Sequence, residues 1–392
     1  MKIKVRNRCS DFDTYRAARV KSMFNAEGGC DFSLDAELPI DGRDWCLGLV
    51  VGPSGSGKTS IGHQVFGGAG CQEKPWPMDR PIVDAIAPDA DFNQVTAALA
   101  GVGLGSVPAW LRPYGVLSNG ERFRADLARV ICEAPHRVVI DEFSSVVDRQ
   151  IAKIGALAFA KSWRRVAREK GSQCVLLACH YDIIEWLRPD WVYDTATNQF
   201  HGRWLQPRPR IVLAVQETDW SYWPLFEPHH YLKMPPMVAS RCYVGTVNGQ
   251  PVCHVGISGM HTGLGMEVRM ARLVVMPEWQ GAGIGLRFIN YLASRQLDGR
   301  GAFPGRQLTT MIHTTHPGLA RALRHDPQWR QITSMLYGGN RRKAVESLRR
   351  SEKRNNSKVK STGYGGHFRA VQGFRYYGKE GIKAAKKDGL AA

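Results

Sequence analysis

One stretch constrains this chain more than any other. The apolar run Leu49-Val50-Val51 meets Gly52-Pro53-Ser54-Gly55-Ser56-Gly57-Lys58-Thr59-Ser60. Gly52, Gly57, Lys58 and Thr59 hold the fixed positions of the pattern G-x-x-x-x-G-K-[ST]. Glycines let a backbone curl so that successive N–H groups point inward at phosphate oxygens. The helix that follows turns its positive N-terminal end to the same anion. Lys58 is placed to reach β- and γ-phosphates, and the Thr59 hydroxyl to hold Mg²⁺. A glycine loop alone can be only a loop, but the full pattern after a strand-like run is far more specific.

The chain has 392 residues, which predicts two or three domains. An apolar fraction of 43% allows each domain a core. A formal charge of +18 favours polyanionic partners, nucleic acid first among them. No apolar run approaches the roughly 20 residues that cross a bilayer. The basic start Met1-Lys2-Ile3-Lys4-Val5-Arg6 is followed by no apolar signal core. A cytoplasmic protein without a membrane partner is therefore expected. The nine cysteines are scattered with no C-x-x-C pair, so reduced, mostly buried thiols are expected rather than a zinc site.

Local patterns place the elements. Thr14 to Met23 reads as a helix, and Phe32 to Leu38 alternates like a half-buried edge strand. Trp45 to Val51, Arg137 to Glu142 and Cys174 to Cys179 are apolar runs of the kind that fill central parallel strands. Gly67 to Asp91 reads as loop. Phe92 to Leu104, Arg122 to Cys132 and Ala152 to Glu169 read as helices. The third of the apolar runs ends at His180, and the second ends in Asp141 and Glu142. Helices between these strands predict a parallel α/β nucleotide-binding domain, with its ligand at the carboxyl ends of the strands. Gly202 to Arg210 is rich in proline and arginine and reads as a connector. Beyond it lie strand candidates at Ile211–Val215, Cys242–Val247, Val252–Ser258 and Met266–Val275. Asn248-Gly249 between two of these is a strong hairpin signal.

The order of pieces in the first half carries a resemblance. The phosphate loop, Leu117-Ser118-Asn119-Gly120-Glu121, Asp141-Glu142, Asp148 and His180 follow in one direction. Together they resemble the ATP-binding-cassette (ABC) ATPases. The resemblance implies that Gly52 to Ser60 binds ATP, and that Ser118, Gly120 and Glu121 belong to the signature. By it, Asp141 with Thr59 is a Mg²⁺ ligand, Glu142 the catalytic base, Asp148 part of the D-loop and His180 the switch histidine. Gln72 and Gln94 both fit the family's γ-phosphate-sensing glutamine poorly, and Phe24 and Phe32 are candidates to stack on adenine. In this family one unit's signature caps the nucleotide on another unit's loop. One loop and one signature per chain therefore imply a head-to-tail homodimer around two ATP molecules.

A second glycine turn follows: Val274-Val275-Met276-Pro277-Glu278-Trp279-Gln280-Gly281-Ala282-Gly283-Ile284-Gly285. A strand again runs into glycines that open a helix. A dinucleotide turn has similar glycines, but the surrounding hairpins are not βαβ units. The stretch resembles motif A of the GNAT acyltransferases, Gln/Arg-x-x-Gly-x-Gly/Ala. By that resemblance Val274, Val275 and Met276 pair with the pantetheine arm of acetyl-CoA or another acyl-CoA. Gln280, Gly281, Ala282, Gly283, Ile284 and Gly285 hold its pyrophosphate. Glu267, on the strand before the turn, is the candidate base, with an exposed strand residue as the equal alternative. Tyr337 is the candidate acid for the departing thiolate. His313 and His316 are further candidates to line the site.

The segment from Arg341 to Asp388 holds 15 Lys/Arg against 4 Asp/Glu, most of the chain's excess charge. Phe368, Phe374, Tyr376 and Tyr377 interleave with it, as base-stacking residues or as a last strand of the core. The resulting expectation is α/β: an ABC ATPase domain with a parallel sheet (1–203), a linker (204–210) and a GNAT-like mixed α/β core (211–340). A basic segment (341–392) completes that second domain and contacts nucleic acid. The expected activity is an ATPase coupled to acyl transfer, with a nucleobase amine as one acceptor. The alternatives are a non-catalytic GNAT-fold binding module and an ATP-gated protein acetyltransferase.

Overall fold

The run that leads into the first glycine loop is a strand buried on both faces, at the middle of a sheet. The computed structural model describes residues 1–7, 12, 14–24, 32–68, 75–204, 206–231, 236–237, 240–263, 265–335 and 370–378. In chain order the first elements are β1 (Lys2–Asn7), α1 (Tyr15–Phe24), β2 (Phe32–Glu37), β3 (Leu47–Val51) and α2 (Lys58–Val65). Then come α3 (Ile82–Ala85), α4 (Phe92–Gly101), α5 (Val107–Trp110) and α6 (Asn119–Glu133). They are followed by β4 (Arg137–Ile140), α7 (Arg149–Lys170), β5 (Gln173–Ala178), α8 (Ile184–Leu187), β6 (Trp191–Asp194) and β7 (Gln199–His201). The rest is β8 (Ala214–Thr218), α9 (Trp223–Phe226), β9 (Ser240–Val247), β10 (Gln250–Thr262), β11 (Gly265–Val275), α10 (Ile284–Leu297), β12 (Thr310–Thr314), α11 (Pro317–His325), β13 (Trp329–Met335) and β14 (Val371–Tyr376).

These elements form two compact units. One holds Met1–Trp76 and Glu133–Pro209, the other Pro77–Cys132 and Arg210–Ala392. The units are therefore not two consecutive halves of the chain.

In the first unit a five-stranded sheet runs β4-β5-β3-β6-β7. β3 is parallel to β5 and β6, β4 is parallel to β5, and β7 is antiparallel at the edge. β3 is buried at all five positions, which suits its unbroken apolar sequence. α7 lays a face of Ala156, Phe159, Ala160 and Trp163 inward. Asp148 caps its start through Gln150 N–H, and Gly171 ends it in the left-handed region. β1 and β2 form a separate antiparallel ladder. Ile3 and Val5 are buried while Lys2, Lys4 and Arg6 are exposed, so the basic start of the chain is an alternating strand.

The second unit holds a seven-stranded sheet, β13-β14-β12-β11-β10-β9-β8. All neighbours are antiparallel except β11 and β12. Asn248 and Gly249 both have positive φ, 50° and 77°, as a two-residue hairpin of type I′ needs. β8 lies three residues beyond the expected Ile211–Val215, because Glu217 is drawn into the ladder by Arg241 and the Tyr243 hydroxyl. The stretch read as loop from Gly67 to Asp91 contains the one-turn α3, whose Ile82 is fully buried. Phe374 and Tyr376 sit on β14, between β12 and β13, and are buried. They are core residues, with the Tyr376 hydroxyl donating to Gln328 Oε1, and do not present faces for base stacking. Phe368 and nearly all of the basic segment lie outside the described residues. No helix among the described residues is long and apolar enough to cross a membrane.

Candidate functional site

In the first unit, the carboxyl ends of three neighbouring parallel strands bring the expected nucleotide residues to one edge. β3 ends at Val51, paired with Ala178 of β5, and Ile140 of β4 pairs with Leu176. Gly52, Asp141, Glu142 and His180 therefore all follow strand ends on the same side. Gly52, Gly55 and Gly57 have φ of 152°, 76° and 83°. A Cβ on Gly52 would lie 2.0 Å from Thr195 Oγ1, and one on Gly57 would lie 2.7 Å from the Phe32 ring. The backbone is thus pressed close at both positions. Gly57 opens α2 with no side-chain cap, which leaves first-turn N–H groups for an anion.

Lys58 is only 6% exposed, and its Nζ donates to Pro53 O at 2.7 Å. Ser56 Oγ donates to Pro53 O at 2.8 Å and lies 2.6 Å from Thr195 Oγ1. Ser54 and Thr59 are exposed. Asp141 Oδ1 accepts the Glu142 N–H at 2.7 Å, and Glu142 is held at φ 48°. That φ is uncommon for a residue with a side chain and marks a tight turn at the strand end. Phe143 N–H donates to Leu177 O, and Cys179 Sγ lies 4.0 Å from Glu142 Oε2. The His180 Nδ1 atom is buried without a hydrogen-bond partner among the described residues. Asp148 serves as the α7 cap. Phe24 is 73% exposed, whereas Phe32 packs on the loop, so Phe32 is the aromatic beside it. Thr195 was not legible as a site residue, since no local pattern marks a threonine after the fourth parallel strand.

In the second unit, Ser118 and Glu121 form a reciprocal cap at the start of α6. Glu121 Oε2 accepts from Ser118 N–H and Oγ–H, both at 2.9 Å, while Ser118 Oγ accepts from Glu121 N–H at 3.4 Å. Gly120 lies in the first turn between them. Gln94 donates to Cys132 O, and Gln72 lies outside the described residues.

The second glycine turn repeats the first in backbone terms. Gly283 opens α10 at φ 79°, ψ 12°, and Gly57 opens α2 at φ 83°, ψ 12°; neither has a side-chain cap. Gly281 is also left-handed, at φ 92°. Both turns fit a phosphate group by this measure: uncapped N–H groups and glycine where a side chain would intrude. Gln280, however, is engaged within the protein. Its Oε1 accepts from Gly105 N–H and its Nε2 donates to Val275 O, both at 2.9 Å. Its carbonyl accepts from Arg124 Nη1 at 3.2 Å. Burial pushes the Arg124 guanidinium down to about 10, with Glu278 opposing. A Cβ on Gly103 would lie 2.2 Å from Gln280 O, so the α4–α5 connection is pressed onto the turn.

Towards its C-terminal end β11 loses its β12 partner. β11 and β12 pair only at Val268–Met270 with Thr310–Ile312. On that side, Ala271 to Val275 have no strand partner among the described residues. Val274 packs with Trp223, Phe226 and Val244, flanked by Met276. Val275 meets Gly285, where a Cβ would lie 3.0 Å from its Cγ2.

Glu267 is 2% exposed and accepts four hydrogen bonds. Thr309 and Arg375 Nε donate to Oε1 at 2.6 and 2.7 Å, and Thr262 and Arg375 Nη2 donate to Oε2 at 2.7 and 2.9 Å. Burial alone would raise its carboxyl, but the Thr309, Arg375 and Thr262 hydrogen bonds hold it below its ordinary value. This is neither an exposed strand residue nor a free base; it is the anion of a buried ion pair. His316 caps α11 by accepting Leu319 N–H at Nδ1, so its Nε2 donates to Gly105 O at 3.0 Å. Burial lowers both His316 and His313, and Arg269 lowers His313 further. Tyr337 lies outside the described residues.

No family model matches the chain. Over 164 residues the chain is 28% identical to the molybdenum import ATP-binding protein ModC of Rhodobacter capsulatus, a match that covers 33% of this chain and 44% of that protein. The chain thus spans less than half the length of that curated relative. Among solved structures it is similar to a cobalt transport ATP-binding protein, at 18% identity over 45% of this chain and 75% of that one, TM-score 0.33. It is also similar to a bacterial Atm1-family ABC exporter with ATP bound, at 18% identity over 43% and 33% of the two chains, TM-score 0.30. The likeness to ABC-type ATP-binding proteins lies in the N-terminal part of the chain.

Proposed function

We propose that this chain is an ATP-hydrolysing ABC-type ATPase coupled to an acyl-CoA-dependent N-acyltransferase that acts on or with nucleic acid. One observation carries the reading. Two strands each run into a left-handed, uncapped glycine that opens a helix, at nearly identical backbone angles, once in each unit. Two phosphate cradles in one chain call for two phosphorylated ligands.

In the first, the N–H groups of Gly52 to Ser60 bind phosphate oxygens, and the Lys58 ammonium moves from Pro53 O to the anion. Thr59 and Asp141 hold Mg²⁺, Glu142 takes a proton from the attacking water, and His180 orients that water. ATP supplies the phosphoanhydride that this arrangement cleaves. Ser118, Gly120, Glu121 and Asp148 of a second copy complete the site, which makes the active form a homodimer. In the second cradle, Gln280 to Gly285 hold a pyrophosphate, and the pantetheine arm runs along the β12 side of β11 at Val274 to Met276, where no strand pairs among the described residues and Val275 O is already taken by Gln280 Nε2. An acyl-CoA supplies the activated thioester there. A polyanionic acceptor agrees with the charge of +18.

A second reading, the C-terminal unit as a non-catalytic binding module, is favoured by the engagement of Gln280 and Glu267 within the protein. Labelled acetyl-CoA offered with nucleic acid, protein and polyamine acceptors separates the two. Transfer to nucleic acid supports the first; CoA binding without transfer to any acceptor supports the second. The ATPase part is tested independently. Lys58→Ala should abolish nucleotide binding. Glu142→Gln should keep binding, slow hydrolysis at least about 100-fold and accumulate an ATP-bound dimer on size exclusion. A Glu142→Gln chain that stays monomeric in saturating ATP sinks the composite-site mechanism.

A further inference from the structure

We propose that a basic pocket on α7, in the first unit and separate from both glycine turns, binds the phosphodiester backbone of nucleic acid. The cavity has a volume of about 420 Å³ and is lined by Lys161, Arg164, Arg165, Arg168, Glu169 and Arg208. Five cations thus face one carboxylate. None of the five forms an ion pair among the described residues. Lys161/Arg165 and Arg164/Arg168 are like charges four residues apart on one helix, an arrangement that repels without an anion between them.

The cluster is built rather than merely solvated. Arg164 donates from Nη1 to Leu187 O at 3.1 Å and from Nη2 to Arg188 O. Arg208 Nε donates to Trp186 O at 3.1 Å. Both guanidiniums are half-buried and anchored on the backbone around α8, so each keeps N–H donors pointed for an acceptor. Burial lowers both groups; the Asp190 carboxylate opposes this at Arg164, whereas Arg164 and Arg188 add repulsion at Arg208, which an incoming anion would relieve.

The pocket's shape selects the ligand. From Lys161 to Arg168 the helix advances about 10 Å, a length over which duplex DNA carries about six charges. The lining contains no aromatic or apolar side chain to hold a base, so it suits a phosphate backbone and not a mononucleotide. This inference goes beyond the ATPase–acyltransferase reading and needs neither activity.

The test uses the full chain, a fluorescent DNA duplex and anisotropy across a salt titration. In the triple variant Lys161→Ala/Arg165→Ala/Arg168→Ala the substitutions fall on the outer side of α7, and ATP binding together with the urea midpoint checks the fold. The expected result is duplex affinity at least about tenfold weaker near 0.1 M salt, with the salt slope reduced by about 2–3. Unchanged affinity and slope overturn the inference while leaving the basic segment at 341–392 as the contact. Equal loss of polyglutamate binding overturns the assignment to nucleic acid in favour of an acidic polypeptide. Tripolyphosphate displacing the duplex at equal charge concentration overturns it in favour of free phosphates. A wild-type chain that binds no duplex overturns both this site and the nucleic-acid part of the proposed function.

Discussion

The Glu267–Arg375 pair allows a quantitative prediction. Replacing Glu267 by Gln keeps the side-chain shape, removes the charge and sets an amide N–H₂ against donors that now meet a carboxylate. Two charge-assisted hydrogen bonds from Arg375 are lost or weakened, at about 1.5–3 kcal/mol each. Their sum agrees with the roughly 3–5 kcal/mol typical when one partner of a buried pair is removed. Arg375 is 13% exposed, so little water can replace the carboxylate. Urea denaturation, with hydrogen exchange at β12 and β14 as the local probe, should show the second unit destabilised by about that amount. Arg375→Met in the same chain should recover much of the loss, because the stranded cation is gone. The native carboxyl lies below its unfolded value near 4.5, so this stabilisation is complete above that pH and fades as pH falls through the lowered value. A loss under about 1 kcal/mol would refute the ion-pair account. A normal urea midpoint with acyl transfer slowed about 100-fold or more would instead restore Glu267 as a base.

Two further outcomes test the packing of the second unit. Gly103→Ala, at φ 85° with its Cβ 2.2 Å from Gln280 O, should lower stability by about 2–5 kcal/mol from strain and overpacking. Gly305→Ala, at φ 79° with nothing within 4 Å, should cost only about 1–2 kcal/mol in the same thermal melts; equal losses would refute the claimed close approach. Burial among Trp220, Trp223 and Phe226 pushes the His254 ring down to about 4, against a small opposing effect of the Arg272 backbone. Its neutral form is required, so stability is complete above pH 6.5 and falls by roughly 3 kcal/mol as pH drops toward 4. His254→Phe should flatten that pH dependence in melts across the range, and an unchanged slope would show that another group titrates there.

What was legible in the sequence was what local spacing decides. A turn that opens a helix on a left-handed glycine needs glycines at fixed offsets, with a lysine after them in the first case, so both turns stand out in the linear order of residues. Buried parallel strands advertise themselves as unbroken apolar runs, as β3 and β5 do, and Asn248-Gly249 marks its hairpin through the positive φ both residues adopt. The alternation Lys2-Ile3-Lys4-Val5-Arg6 was equally local but was masked by its charge. What was not legible depends on partners far along the chain. Glu267 meets Arg375 across 108 residues, and Gly105 meets Gln280 across 175. Phe374 to Tyr377 could be read as a last core strand, but nothing near them shows that it enters the sheet between β12 and β13 and so buries Phe374 and Tyr376.

The chain crosses between its units at residues 76–77, 132–133 and 209–210. Residues 77–132 belong with the later part: α4 packs on α11, where a Cβ on Gly318 would lie 2.6 Å from Ala100 Cβ. Such a layout resists modular inheritance. A recombination event in the connector at 204–210 would deliver an N-terminal piece whose inserted helices have lost their packing surface, and a C-terminal piece whose glycine turn has lost Gly105 and Arg124. A cut there therefore separates residues 77–132 from the later elements that they pack with, and a chain split between the units has to follow all three crossings instead.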